Sequence, residues 1–211
     1  MSFATIAGFP VISATITMPL VGLWRVEADV DAPEAFEGRV AIEAPGLSLS
    51  GTVVPSGDFG GRVRARIEAG AGRLAETLPG RYFRGATYRQ IVGETLRDAG
   101  ETLDASPMVG TAPLWCRASG PASRTVADVA TALGLCWNTT DAGLLSLSSP
   151  TWAALDVPSS EVLDDDAVSG RIVLGTTDLS ARPGRTIQGR RVVCVRHIIG
   201  DAIRTELLTE P

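Results

Sequence analysis

The chain has no lysine, so all 19 of its basic residues are arginines. Two readings of that bias stay open. A GC-rich coding sequence favours arginine regardless of structure. Selection for bidentate arginine pairs at subunit contacts would do the same, because the planar guanidinium suits them better than an ammonium. Histidine is almost missing too: His197 is the single one, and the cysteines are Cys116, Cys136 and Cys194. No CxxC spacing joins them. One histidine and three scattered thiols do not make a zinc site, so neither metal nor cofactor is expected, and the thiols are expected to be buried and free.

No apolar run reaches the roughly 18 residues of a membrane span. The opening stretch "MSFATIAGFPVISATITMPLVGLW" is apolar but has no basic n-region, and its alternation reads as strand rather than signal peptide. The expectation is a protein kept in the cytoplasm until it meets a partner. The net charge of −5 lacks the basic footprint of a sequence-specific nucleic-acid binder. What is present is enough for a packed core: 45% hydrophobic and 20% charged residues argue against disorder. A length of 211 residues fits one large domain or two to three small ones.

Period-two patterning dominates the first third. Ile12, Ala14, Ile16 and Met18 share one face, as do Val40, Ile42 and Ala44. Leu47, Leu49 and Gly51 follow, then Val63, Ala65, Ile67 and Ala69, with Arg62, Arg64, Arg66 and Glu68 between them. Gly, Pro and Asp punctuate these runs, which predicts short antiparallel strands with one wet face, arranged as a small barrel or sandwich. The pattern then turns helical. In "TYRQIVGETLRDAG", Tyr88, Ile91, Val92, Thr95, Leu96 and Ala99 fall on one face, Thr87 and Gln90 form a capping box, and Gly100 sits at the C-cap. In "TVADVATALG", Val126, Val129, Ala130 and Leu133 form the stripe, with a cap expected from Thr125 and Asp128 and a stop at Gly134. A hairpin follows, turning at Asn138 to Gly143.

Residues 150–168 are rich in Pro and Asp and read as a linker or exposed loop, with Asp164, Asp165 and Asp166 solvated rather than metal-bound. From residue 187 strands return. Ile187, Gly189, Arg191, Val193, Val195, His197 and Ile199 are expected on one face. Arg190 and Arg196 fall on the other, and a turn at Gly200 and Asp201 leads to Ile203, Thr205 and Leu207. The predicted class is α+β, mainly β: two small antiparallel β-barrel domains flanking a segment with two short helices and a hairpin. The expected boundaries are 1–84 for the first barrel, 85–150 for the middle segment, and 151–211 for a linker and the second barrel.

Nothing in the sequence carries catalysis. Cys194 and His197 lie on opposite faces of one strand and cannot form a dyad. No G-x-S-x-G elbow is present, and "GDFGGRVRAR" leads into a strand, so it reads as a hairpin turn rather than a phosphate loop. The arginine-lined strand faces read either as solvated surface or as contacts to carboxylates of another copy.

The closing segment "LSARPGRTIQGRRVVCVRHIIGDAIRTELL" resembles the end of phage tail baseplate hub proteins, the late-control family of Mu-like tails. The resemblance rests on Pro183–Gly184, Gly189, Val192, Val195, His197, Thr205 and Leu207. The pattern Trp137, Asp141, Gly143, Leu145 and Leu147 looks like the helix-bearing middle of such hubs, and "GLSLSGTV" is similar to their first barrel. The resemblance implies a homotrimer whose two barrels per subunit make a ring of six. That ring joins a sixfold tail tube or distal tail protein to a threefold tip or spike, and passes DNA without binding it specifically. It implies a virion structural protein, assembled in the host cytoplasm, with no enzymatic activity and no membrane partner. Arg190, Arg191 and Arg196 become candidate intersubunit contacts, and Cys194 and His197 candidate barrel-packing residues. A sixfold tube-type or distal tail ring, and a tail-associated cell-wall hydrolase, are the alternatives.

Overall fold

The structure, a computed structural model, describes residues 3–210. The fold is α+β and mainly β. Six strands come first: β1 (Thr5–Ile6), β2 (Phe9–Pro19), β3 (Arg25–Val30), β4 (Gly38–Ala44), β5 (Leu47–Asp58) and β6 (Val63–Ala69). They pair in the order β1-β4-β5-β6-β3-β2, and β1 also pairs with β2, so the ring closes into a barrel. Its inner face is the alternating set read from sequence: Ala14, Ile16 and Met18 on β2, Leu47 and Leu49 on β5, and Val63, Ala65, Ile67 and Ala69 on β6 are all buried.

A middle segment follows. It comprises β7 (Thr77–Leu78), β8 (Arg81–Thr87), α1 (Tyr88–Ala99), β9 (Thr111–Arg117), β10 (Gly120–Pro121), α2 (Ala122–Leu133), β11 (Cys136–Thr139) and β12 (Leu145–Ser148). It has its own core, in which Ile91, Val92 and Leu96 of α1 meet Val126 and Val129 of α2. The Thr87–Gln90 capping box is formed, and Gly100 and Gly134 both end their helices in the left-handed region. The expected cap on the second helix is not: α2 starts three residues before Thr125, its N-cap is Pro121 without a side-chain bond, and Thr125 is buried. The carbonyls of Glu76 and Leu74 accept from the Ala122 and Ser123 amides at 3.1 and 3.0 Å, so the helix begins without a hydroxyl cap.

The last third holds β13 (Ala153–Ala154), β14 (Val162–Asp166), β15 (Arg171–Leu174), β16 (Arg185–Ile187), β17 (Arg190–Ile199) and β18 (Arg204–Glu210). Residues 150–168 are therefore not simply a linker or loop; they contain β13 and β14, the latter paired with β15. These six strands pair in the order β13-β16-β17-β18-β15-β14, which repeats the first six one for one. The registers repeat as well. Val11↔Val30 then Ser13↔Asp29, across a bulge, matches Val162↔Leu174 then Asp164↔Val173. Val53↔Ile67 then Ser56↔Ala65 matches Val192↔Thr209 then Val195↔Leu207. Asp29↔Arg64 matches Val173↔Glu206. The chain is thus a tandem repeat interrupted by the helical segment. One difference stands out: β13 runs parallel to β16 whereas β1 runs antiparallel to β4, and among the described residues β13 and β14 do not pair.

The repeats are joined edge to edge. The second half of β2 pairs with β17, from Ala14↔Ile199 to Pro19↔Cys194, making one 12-stranded sheet and one continuous core.

Candidate assembly surface

All five residues singled out by the sequence lie on β17, and a bulge sets their directions. The register slips between Val192 and Cys194, so Val193 is an inserted residue and the alternation changes phase there. The buried set is Val192, Val195, His197 and Ile199, not the expected face that included Gly189, Arg191 and Val193. The slip also reverses the arginines. Arg191 and Arg196 end on the outer face, while Arg190 belongs with the inner row. The expected grouping, with Arg190 and Arg196 together and Arg191 opposite, is corrected by that single extra residue. Ile12 is the inserted residue of a separate bulge in β2 and leaves its expected face in the same way.

Each arginine has a partner within the chain. Arg190 places one Nη 2.8 Å from both oxygens of Asp165 and 3.0 Å from Gln188 Oε1. Arg191 lies 5.0 Å over the Trp152 ring and makes no ion pair among the described residues. Arg196 reaches Glu206 at 3.3 Å, and Arg171 reaches the same carboxylate at 3.0 Å. The three consecutive aspartates are likewise engaged: Asp164 with Arg171, Asp165 with Arg190, and Asp166 with the turn that follows. The Ser169 hydroxyl, helped by the Ser169 and Val168 amides, holds the Asp166 carboxyl below the usual carboxylate range. No group of acidic, histidine or cysteine side chains able to hold a metal occurs among the described residues.

His197 is fully buried, flanked by Ile16 of β2 on one side and Thr205 of β18 on the other. Its Nδ1 lies 2.8 Å from Thr205 Oγ1, and Nε2 makes no well-formed hydrogen bond. Burial is the main reason its pKa falls from 6.5 to about 4. The Arg182 charge adds to this, and the Ala181 backbone and Asp178 offset it in part. At neutral pH the ring is an uncharged packing group and a weak base, and it faces inward, away from the face that carries Cys194. Cys194 itself is half-buried, and burial pushes its thiol pKa up, away from the reactive thiolate. Both residues sit in the barrel seam. Of the other thiols Cys116 is exposed, against expectation, because it lies on the outer side of the β8–β9 ribbon.

The outer face of β2, β3 and β6 carries a groove of about 810 Å³ under the β5–β6 tip. Glu27, Asp29, Asp58, Arg64 and Arg66 line it. Arg64 holds Asp29 through two bonds of 2.8 and 3.2 Å, which lowers that carboxyl's pKa and keeps it ionised. A carboxylate so held is a poor proton donor.

No family model matches the chain, and no curated protein matches it. Solved structures do. A tail protein from prophage MuSo2 of Shewanella oneidensis superposes with a TM-score of 0.75 at 9% identity, covering 98% of this chain and 96% of that one. The c3393 protein of Escherichia coli, a type VI secretion component described as similar to the bacteriophage T4 tail proteins gp27 and gp5, gives 0.69 at 11% identity, covering 99% and 76%. A tail protein from Neisseria meningitidis MC58 gives 0.63 at 12%, covering 98% and 96%. The fold is that of phage tail proteins.

Within this tail-protein fold, the residues that tie the middle segment to the barrel escaped the sequence reading. The β11–β12 turn docks on the first repeat: Trp24 Nε1 donates to the Thr140 carbonyl (3.0 Å) and Ser50 N–H to the Asp141 carbonyl (2.8 Å). Arg182, from the second repeat, pairs with the Asp141 carboxylate at 2.9 Å. Gly143 sits where a Cβ would fall 2.4 Å from the Ser50 carbonyl, at φ +75°, so only glycine lets the turn approach. Inside the segment, the buried Arg117 binds Asp98 (2.9 Å), Thr95 Oγ1 (3.3 Å) and the Pro79 carbonyl (3.2 Å), locking β9 onto α1. The turn residues were legible as a turn. Their target was not, because Trp24 and Ser50 lie far away in sequence.

Proposed function

We propose that this chain is the structural hub of a phage tail or tail-like injection particle, acting as a homotrimer without enzymatic activity. The observation that carries the reading is the register-matched duplication. A threefold ring of a chain that contains the same six strands twice presents six like units, the geometry needed to join a sixfold tail tube to a threefold tip or spike. The protein then resides in the virion tail after assembly in the host cytoplasm. Its partners are a tail tube or distal tail protein on one side and a tip or spike on the other. An acidic chain also suits a lumen through which DNA slides without sticking.

Native mass of the purified protein, alone and with its tail-tube neighbour, tests this. A threefold mass supports the hub, a sixfold mass moves the assignment to a tube-type ring, and a strict monomer in both conditions overturns it. Of the three arginines proposed as intersubunit contacts, Arg191 is the one to change first, because it forms no ion pair at home. Arg191→Glu is expected to lower the trimer fraction and leave the circular dichroism spectrum unchanged. Hydrolysis of cell-wall material by the purified protein, abolished by Glu27→Gln in the groove, would replace the structural reading with the enzymatic one.

A further inference from the structure

We infer that the β14–β15 hairpin of one copy lies along the free edge of β5 in a second copy, repeating between chains the junction that β2 and β17 make within one. The inference rests on the ring reading above and names the surfaces that would build it.

Strand β17 divides one edge between two partners. β16 takes Arg190 and Arg191, the bulge follows, and β2 takes Cys194 to Ile199. Its counterpart β5 is laid out the same way as far as the bulge. β4 takes Leu47 to Val53, the register then slips, and among the described residues no strand pairs with Ser56 to Asp58 on that edge, where the Ser56 hydroxyl donates to the Phe36 carbonyl at 2.7 Å. On the other side of the junction, β2 uses its second edge for β1 and β17, whereas its counterpart β14 pairs with β15 alone. Each chain therefore holds one completed junction and the two unlike halves of another. A contact between unlike halves is heterologous, and such contacts propagate head to tail until they close a ring.

The side chains at the two bare edges agree. Val54 and Phe59 are 52% and 64% exposed on the β5 side, and Leu163 and Val168 are 66% and 99% exposed on the β14 side. Half of the large exposed hydrophobics among the described residues thus lie on these two short edges; Arg64 lies 4.6 Å over the Phe59 ring, while Val54, Leu163 and Val168 stay open. The equivalence of the repeats also fixes a register. Val195↔Met18 carries over to Ser56 opposite Ser169, and Ile198↔Thr15 to Phe59 opposite Asp166. Because β14 is shorter than β2, its turn occupies the place of the second half of β2.

The test is a cysteine pair in the full chain: Ser56→Cys with Ser169→Cys, with Cys116, Cys136 and Cys194 changed to alanine. Native mass is read alongside a non-reducing gel after mild oxidation, alone and with tail-tube protein. The expected result is a threefold mass and a covalent trimer that needs both cysteines. A threefold mass without a bridge between copies overturns this junction and leaves the ring standing. A bridge formed by either single-cysteine variant marks a like-with-like contact and also overturns it. A protein that stays single in all conditions overturns the ring and the junction together. As a second arm without cysteines, Val168→Asp is expected to weaken self-association by about tenfold or more with the fold intact. An unchanged association constant would count against the junction.

Discussion

The two repeats share one backbone plan and differ in what covers it. Asp58 on β5 and His197 on β17 occupy the same position, opposite Val63 and Thr205 respectively. Asp58 is exposed at a bare edge, while His197 is fully buried because β2 lies beside it. The neighbouring row differs in the same sense. Arg64 is exposed and pairs with Asp29, whereas its counterpart Glu206 is buried between Arg171 and Arg196. Polar groups in the second repeat are thus enclosed and mostly paired with one another, His197 Nε2 excepted, and those in the first are solvated. The same strand plan tolerates either.

The comparison can be broken most severely at Trp24, which is 2% exposed and fills the first repeat over Gly51. Trp24→Ala is expected to cost about 3–5 kcal/mol in denaturant unfolding. It should also release the β11–β12 turn, seen as faster amide exchange at Ser50, while the second repeat keeps its protection.

The second repeat should be the acid-sensitive one. Folding favours neutral His197, with a pKa of about 4 against 6.5 when unfolded. Its contribution is full above pH 6.5, falls as pH drops through that value, and is lost below about 4. The loss amounts to about 3 kcal/mol. His197→Leu with Thr205→Val removes both polar partners together and should abolish this part of the pH dependence, at little cost near neutrality. An unchanged stability profile between pH 6.5 and 4 in the double variant would refute the assignment.

Buried and exposed arginines sharpen the contrast further. Arg117→Ala, which strips a 2% exposed side chain from Asp98, is expected to cost about 3 kcal/mol. Arg64→Ala, at 60% exposure, is expected to leave the unfolding midpoint almost unchanged, and any effect should vanish in high salt. Between these lies the helix cap, where Thr87→Ala is expected to lose about 1 kcal/mol by thermal melting.

Sequence reasoning read the first barrel closely because its apolar alternation is uninterrupted where it counts: Leu47, Leu49, Val63, Ala65 and Ile67 point inward as their spacing says. It misread β17 because one inserted residue changes the parity of everything before it, and a bulge leaves no mark in composition. It missed β14 because three aspartates outweigh two apolar residues, although two of those aspartates are ion-paired to Arg171 and Arg190. The α2 cap failed for a different reason. A threonine three residues before an acid has the form of a cap, but the helix starts earlier, after a proline, where the carbonyls of Glu76 and Leu74 take the first amides. The candidate residues Cys194 and His197 lie in the seam; that β2 is their neighbour depends on pairing across most of the chain.

That long-range pairing has a consequence for synthesis. The six strands of the first repeat are complete by Ala69 and can close as soon as they leave the ribosome. The second half of β2 must then wait, with a row of unpaired amides and carbonyls, until β17 emerges near the end of translation. Nascent chains therefore spend most of their elongation with an open strand edge able to capture a neighbour on the same message. A chain truncated before Arg190 keeps that edge permanently bare.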